Sequence, residues 1–221
     1  MTDPQPDSAL VAAFKGMSTP NVSDALDRLG IAGGCLGLTP IVHGVSFAGA
    51  AYTVHYVPCG TVKGTVGDFL DDVAPGQVVV IDNAGRTYCT VWGDLMTISA
   101  HHRGIAGTVI DGVCRDVPKV RELKYPIFTR GHYMVTGKDR VQVDGINVPV
   151  SLSGIQVKPG DIVMADDSGV LVIPLERAAE VLAAAKEIAE AEDFIEQALE
   201  KGDTLREARN RFGYHKLQSR R

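Results

Sequence analysis

Apolar and polar positions change their spacing several times along this chain, and the changes mark its elements. Gln77–Ile81 is an unbroken apolar run between Pro75-Gly76 and Asn83-Ala84-Gly85, which predicts a buried strand followed by a turn. Thr87–Trp92 reads as the next strand. Gly93-Asp94 then opens a helix that runs to Arg103 and stops at Gly104. Gly107–Ile110 is another buried strand, Asp111 to Cys114 a turn, and Arg115-Asp116 opens a short helix over Val117–Leu123. Tyr125-Pro126 ends that helix, and Ile127–Thr129 is again a strand.

Upstream, Ala9–Phe14 is helical, and Thr19 as cap with Gly30 as stop predicts a helix over Pro20–Leu29. Val45–Phe47 and Ala51–Val57 read as strands, 60–67 as a Gly-rich loop and Asp68–Val73 as a short helix. Downstream, short strands at Val141–Val143, Val148–Ser151, Ile155–Val157, Ile162–Ala165 and Val170–Ile173 are separated by turn residues. A long helix over Leu175–Leu199 ends near Gly202, and Thr204 caps a last short one. Alternating strands and helices followed by a β-rich stretch predict an α/β core extended by antiparallel strands. The expected organisation is a single domain over 1–221, with a core of about 18–174 and a C-terminal helical extension of about 175–221.

Composition narrows the function classes. The 221 residues are 45% hydrophobic, enough for a substantial core, and the net charge of −5 argues against a nucleic-acid binder. Arg206, Arg209, Arg211, His215, Lys216, Arg220 and Arg221 form a loose basic cluster, read as a solvated tail. The polar start MTDPQPDS is not a signal peptide, and no apolar run reaches the roughly 18–20 residues that span a bilayer. Cys35, Cys59, Cys89 and Cys114 form no C-x-x-C pair, so thiols in a reducing cytoplasm are expected rather than disulfides or a zinc site.

Asp94 and Asp116 share a local context, each after a strand and at the start of a helix. For either alone, capping is the commoner role. Two aspartates and an arginine at neighbouring strand ends fit a different chemistry. Ligands gather at that edge of α/β sheets, helix N-termini attract carboxylates, and Mg²⁺ takes one or two carboxylates plus waters. Arg115 offers a planar fork for a carboxylate or a developing enolate oxygen.

The spacing of Asp94, twenty residues, then Arg115-Asp116 resembles the D-x20-R-D motif of class II pyruvate aldolases of the 4-hydroxy-4-methyl-2-oxoglutarate aldolase type, whose superfamily includes the regulator of ribonuclease activity A. The resemblance extends to SDALDRLG, APGQVVVIDNAG, WGDLMTISAHHRGIAGTVIDGVCRD and KPGDIVMADDSGVLVIP, over roughly 18–202. It implies an αββα sandwich resembling the swivelling phosphohistidine domain. It implies a Mg²⁺ or Mn²⁺ cofactor bound directly by Asp116 and through water by Asp94, with Arg115 on the substrate's 2-oxo acid end. Amides after Gly93, those of Leu95 and Met96, would receive the substrate carboxylate. A homotrimer or homohexamer with sites between subunits is implied as well. Family members place a Glu of the C-terminal helix in the neighbour's site about ten residues before a Gly. Glu192 stands ten before Gly202, in a gap of the stripe Val181, Ala185, Ile188, Ile195 and Leu199. The other reading of that helix has Ala191 filling the stripe and Glu192 on its solvated edge.

Lys63 stands in the loop expected to read the far end of the substrate, where the family's Asn or His is missing. His101 and His102 read as helix-end residues, His43, His55 and His132 lack ligand spacing, and Asp166 and Asp167 read as structural. The expected reaction is metal-assisted retro-aldol cleavage of a 4-hydroxy-2-oxo acid to pyruvate, with oxaloacetate decarboxylation as a side activity. The base would be a water held by Asp94 or Glu192. The competing reading is a non-catalytic protein that binds and inhibits an endoribonuclease. A methyltransferase reading lacks the glycine-rich nucleotide loop such a fold uses.

Overall fold

The structure, a computed structural model, describes residues 6–217, without the side chains of residues 215 and 216. Helices α1 (Ser8–Lys15) and α2 (Thr19–Arg28) lead into two short strands, β1 (Gly34–Cys35) and β2 (Thr39–Pro40). Strand β3 (Phe47–Pro58) and a 3-10 turn at Asp68–Asp72 precede β4 (Val78–Thr90), α3 (Asp94–His102), β5 (Gly107–Val113), α4 (Val117–Glu122) and β6 (Ile127–Thr129). Then come β7 (Val141–Ile146), β8 (Val150–Leu152), β9 (Ile155–Val157), β10 (Ile162–Asp166) and β11 (Gly169–Ile173). A 3-10 turn at Leu175–Arg177 leads into α5 (Ala178–Glu200), followed by α6 (Leu205–Arg211) and α7 (Tyr214–Leu217).

The main sheet runs β1-β11-β10-β3-β4-β5-β6-β2, with β7 paired to the far half of β3. β3, β4, β5 and β6 are parallel, whereas β10, β11 and β7 join antiparallel. The two ends of this path, β1 and β2, are separated by residues 36–38 alone, so the sheet curls back on itself. Alternation along the strands then gives two faces. Val78 and Val80, Val109, Phe128, Val163 and Val172 fill the inside of the curl. Val79, Ile81, Ile110 and Ile127 point out to a layer made by α3, α4 and the Asp68–Asp72 turn. Ile162, Met164, Leu171 and Ile173 point out the other way to α1, α2 and α5. Helices thus cover both outer faces, and the mixed α/β class with a long C-terminal helix expected from the sequence is the one the chain adopts.

Several expectations shift in detail. The turn expected at Asn83-Ala84-Gly85 is a bulge inside one strand. β4 advances from Asp82 to Thr90 while β5 advances only from Asp111 to Val113, and Ala84 and Gly85 take φ of 49° and 68°. Bulges of this kind re-aim a strand near a site. The turn expected at Asp111–Cys114 is mostly strand, since β5 continues to Val113. Ser18, not Thr19, caps α2; Thr19 instead donates from its amide and hydroxyl to Asp166, at 2.9 and 2.6 Å. On α5 the buried stripe is Ala178, Val181, Ala185, Ile188, Ile195 and Ala198, and Leu199 faces solvent. Thr204 does cap α6, in a reciprocal box with Glu207. Of the basic C-terminal cluster, Arg211 pairs with Asp203 at 2.6 Å and Arg209 lies over the Tyr214 ring. The His215 and Lys216 side chains, Arg220 and Arg221 lie outside the described residues.

Candidate active site

β4 and β5 are neighbouring parallel strands, so the segments that follow them emerge side by side. Trp92 anchors the first of these. Its indole is buried, stacks on Tyr125 and donates to Thr97 Oγ1 at 3.0 Å, and Thr97 in turn donates to Gly93 O. The first turn of α3 is thereby pinned to the sheet. The second segment is tied to the first through the Arg115 amide, which donates to Trp92 O at 3.0 Å.

Asp116 has φ 57° and ψ 37°, the left-handed region. A non-glycine residue adopts it at a cost, and such residues cluster where function requires them. Here it turns the carboxylate away from its own helix, α4, which has no side-chain cap, toward the start of α3. Asp116 Oδ2 accepts the Asp94 amide at 3.1 Å and lies 3.3 Å from Arg115 Nε. Asp94 sits at the first position of α3 behind Gly93 and accepts the next amide, that of Leu95, at 2.8 Å. Neither aspartate caps the helix that follows it in the ordinary way. Gly93 is what permits the arrangement: a Cβ there would lie 2.8 Å from Asp116 Oδ2 and 3.3 Å from Arg115 Nε.

Arg115 is bound only through Nε, so among the described residues both terminal guanidinium nitrogens are free for a ligand. The Met96 amide, in the first turn of α3, has no intrahelical acceptor and points along the positive end of the helix dipole. The Leu95 amide is already held by Asp94, unlike the expectation that both amides are open. A cleft of about 210 Å³ opens here, lined by Gly93, Asp94, Leu95, Met96 and Arg115 and walled by Val66, Gly67, Thr136 and Gly137. Its volume is below the roughly 300 Å³ of drug-sized sites and suits a small metabolite.

The structure therefore brings together Gly93, Asp94, Leu95, Met96, Arg115 and Asp116. Lys63 lies outside the cleft lining, paired with Asp139 at 2.8 Å, although Val66 and Gly67 of its loop form one wall. Glu192 accepts from Asn21 Nδ2 on the α2–α5 face of the molecule, across the sheet from α3. No group of three or more His, Cys, Asp or Glu suited to a metal occurs among the described residues. His101 and His102 are exposed on the last turn of α3, and His43 and His55 pair with Asp167 and Asp144. Asp166 and Asp167 hold backbone amides, as expected of structural residues. The cysteines are free; burial pushes the Cys35 and Cys114 thiols up to about 12, which makes them inert. Sequence reading missed the Thr136-Gly137 wall, because nothing in its spacing ties it to Asp94.

The mixed α/β fold is shared with known proteins. The chain belongs to the RraA-like family, described as Aldolase/RraA, whose model matches residues 19–172. Protein DlpA of Legionella pneumophila is 43% identical over 196 residues, which cover 87% of this chain and 32% of that protein, so this chain spans about a third of its length. A Halalkalibacterium halodurans protein named "Putative 4-hydroxy-4-methyl-2-oxoglutarate aldolase" is 32% identical over 86% of this chain and 88% of its own length. The crystal structure of Streptomyces coelicolor RraAS2, described as an unusual member of the RNase ES inhibitor RraA protein family, superposes with a TM-score of 0.81. It is 31% identical, over 87% of this chain and 98% of that one. No helix among the described residues is long and apolar enough to cross a membrane.

Proposed function

We propose that this chain is a divalent-metal-dependent lyase that cleaves a 4-hydroxy-2-oxo acid to pyruvate and a second carbonyl compound. The observation that carries the reading is the Asp116 carboxylate, turned by left-handed backbone onto the start of α3 and paired with Arg115, which with Asp94 lines a small cleft. Capping alone needs neither the left-handed residue nor the half-free guanidinium.

The donor set fits a hard cation. Asp116 Oδ1 and Asp94 Oδ2 accept no hydrogen bond from the described residues, and Mg²⁺ or Mn²⁺ takes one or two carboxylates with waters completing the shell. In this reading Asp116 holds the ion directly and Asp94 holds it through water. Bound there, the ion supplies Lewis acidity toward the 2-oxo group. The protein's own groups do the rest. The Met96 amide and the α3 dipole hold the substrate carboxylate. Arg115 sets its free nitrogens against the oxygen that gains charge as the C3–C4 bond breaks and pyruvate leaves as its enolate. The 4-hydroxyl proton passes to a water held by Asp94, or to one on Glu192 of a neighbouring copy.

Exposed apolar residues beside the cleft support such a neighbour. Leu95 is 77% and Met134 73% exposed, and Met134 follows Tyr133, whose amide is bonded to Cys114 O next to Arg115. The assembly in this reading is a homotrimer or homohexamer, and the setting is the cytoplasm. The test is pyruvate release from oxaloacetate, which passes through the same enolate, with Mg²⁺, Mn²⁺ and EDTA. Metal-dependent turnover is expected. Its absence, with tight binding to an endoribonuclease, would favour the regulatory role named for the Streptomyces relative.

A further inference from the structure

We propose that Thr97, buried behind the cleft, is a positioning residue that sets the Asp116 carboxylate through the Gly93–Asp94 peptide. Its bearing on catalysis rests on the lyase reading above. Thr97 is fully buried and does not line the cleft, so it meets neither substrate nor a neighbouring copy. It reaches the site through backbone. Its Oγ1 donates to Gly93 O at 2.8 Å, and its amide donates to the same carbonyl at 3.0 Å. The Gly93 carbonyl and the Asp94 N–H belong to one planar peptide group, so fixing the first orients the second. That Asp94 N–H is the donor held by Asp116 Oδ2, at 3.1 Å.

A helical threonine often returns its hydroxyl to the carbonyl four residues back, and alone this only bends or weakens a helix slightly. Two further observations set Thr97 apart. The Trp92 indole, which can only donate, gives its N–H to Thr97 Oγ1 at 3.0 Å. The hydroxyl proton is thereby directed onto Gly93 O. The anchor behind it is fixed in turn, because Trp92 stacks on Tyr125 with the ring planes 3° apart, and the Tyr125 hydroxyl lies 3.0 Å from Thr108 Oγ1. From the indole through the hydroxyl and the peptide, every donor points toward the Asp116 carboxylate, and bonds aligned in this way polarise one another.

The second observation is symmetry about Gly93. The peptide before it is also held by a buried threonine. Thr90 Oγ1 donates to Trp92 O at 2.9 Å, and the Arg115 amide donates to the same carbonyl at 3.0 Å. Both peptides flanking Gly93 are thus clamped by hydroxyls from inside the chain. A valine at 97 has nearly the same shape and would spare the cost of burying a hydroxyl, so packing alone does not call for threonine.

The experiment compares Thr97→Val and Thr97→Ser, which keeps the hydroxyl, with the wild-type full chain. Ile188→Val, in the core under α5 on the far side of the sheet, serves as a control for lost stability. The readouts are the Kd for Mn²⁺, followed by the electron paramagnetic resonance of the free ion, and hydrogen exchange of the Asp94 amide in metal-free protein. Partners that orient metal ligands are worth about 10–100-fold in affinity, so Thr97→Val should raise the Kd about tenfold. Asp94 exchange should quicken about fivefold or more in the same variant. Thr97→Ser should restore both to within about threefold of the wild type, and Ile188→Val should leave both unchanged at whatever Tm it loses. Wild-type exchange at Asp94 in Thr97→Val overturns the inference, and so does an equal change in Ile188→Val, which would show general loosening. A wild type that binds no Mn²⁺ overturns the lyase reading instead, and the Asp94 exchange then decides the role of Thr97 by itself.

Discussion

Replacing Gly93 by alanine separates the cost of folding from the cost of function at the site. A Cβ at this position would stand 2.8 Å from Asp116 Oδ2 and 3.3 Å from Arg115 Nε. Ordinary contact begins near 3.4 Å, so the carboxylate must retreat by about 0.6 Å or more. Gly93 has φ −142°, open to any residue, so the backbone itself is not strained by the change. The atom displaced is the end of a half-exposed side chain, and the fold gives way there cheaply. What is lost is the bond from the Asp94 amide to the Asp116 carboxylate, at 3.1 Å. A partly exposed bond of this kind contributes about 1 kcal/mol, a Tm drop of roughly 2–4 °C at this chain length. Misplacing a reacting group by about 1 Å can cost about a hundredfold in rate. Gly93→Ala should therefore fold normally yet lose on the order of tenfold to a hundredfold in metal-dependent pyruvate release, measured with a lactate dehydrogenase couple beside thermal unfolding. Full activity in the variant would refute the argument that Asp116 must sit against this helix start; global unfolding would refute the claim that the clash is absorbed locally.

Three other outcomes follow from the same structure. Gly107→Ala places a Cβ 2.5 Å from two ring carbons of the buried Phe47, and should cost about 1–3 kcal/mol in denaturant unfolding, with partial recovery on adding Phe47→Leu. Asp111→Ala removes the acceptor for Arg130 Nε and for the Ser153 amide. It should cost about 1–3 kcal/mol and speed hydrogen exchange in the β8–β9 hairpin, while equal protection would show that the hairpin is held otherwise. Burial pushes the Asp166 carboxyl up, but donors from Thr19 and Ser168 outweigh it and hold the group below its ordinary 3.8. The stability it contributes is then present above pH 3.8 and lost as the pH falls through the lower folded value, so Asp166→Asn should flatten the acid limb of the stability–pH curve, and an unchanged limb would contradict this.

Much of the fold was legible in the sequence where one spacing dominated. The helix after Gly93 and the strand at Ile127–Thr129 each fall within a residue or two of the observed element, and the apolar run at Gln77–Ile81 marks the start of β4, which then runs on to Thr90. The turn signals at Asn83-Ala84-Gly85 misled for a physical reason. The same residues that favour a turn also supply the positive φ of a bulge, and pairing with the parallel partner β5 on both sides of the bulge keeps the chain in the sheet. Leu199 misled in another way, since helical period alone does not say that α5 runs past the body of the sheet and rests its last turns on α6. At the site, the pairing of Asp94, Arg115 and Asp116 could be read because two consecutive strand-to-helix turns carry them. The direction of the Asp116 carboxylate could not, because it depends on a left-handed residue that no periodicity encodes. The walls of the cleft come from the 66–67 loop and from 136–137, joined to the rest only through long-range contacts, such as that of the Thr90 amide with Val135 O.

The most direct test of the central claim is pyruvate release by Asp116→Asn beside the wild type, on a 4-hydroxy-2-oxo acid and with saturating Mn²⁺. Asparagine tolerates the left-handed conformation and keeps the size of the side chain, so the variant should fold with an unchanged Tm. The account predicts metal-dependent release by the wild type and a loss of about a hundredfold or more in the variant. Equal release by both proteins would contradict it.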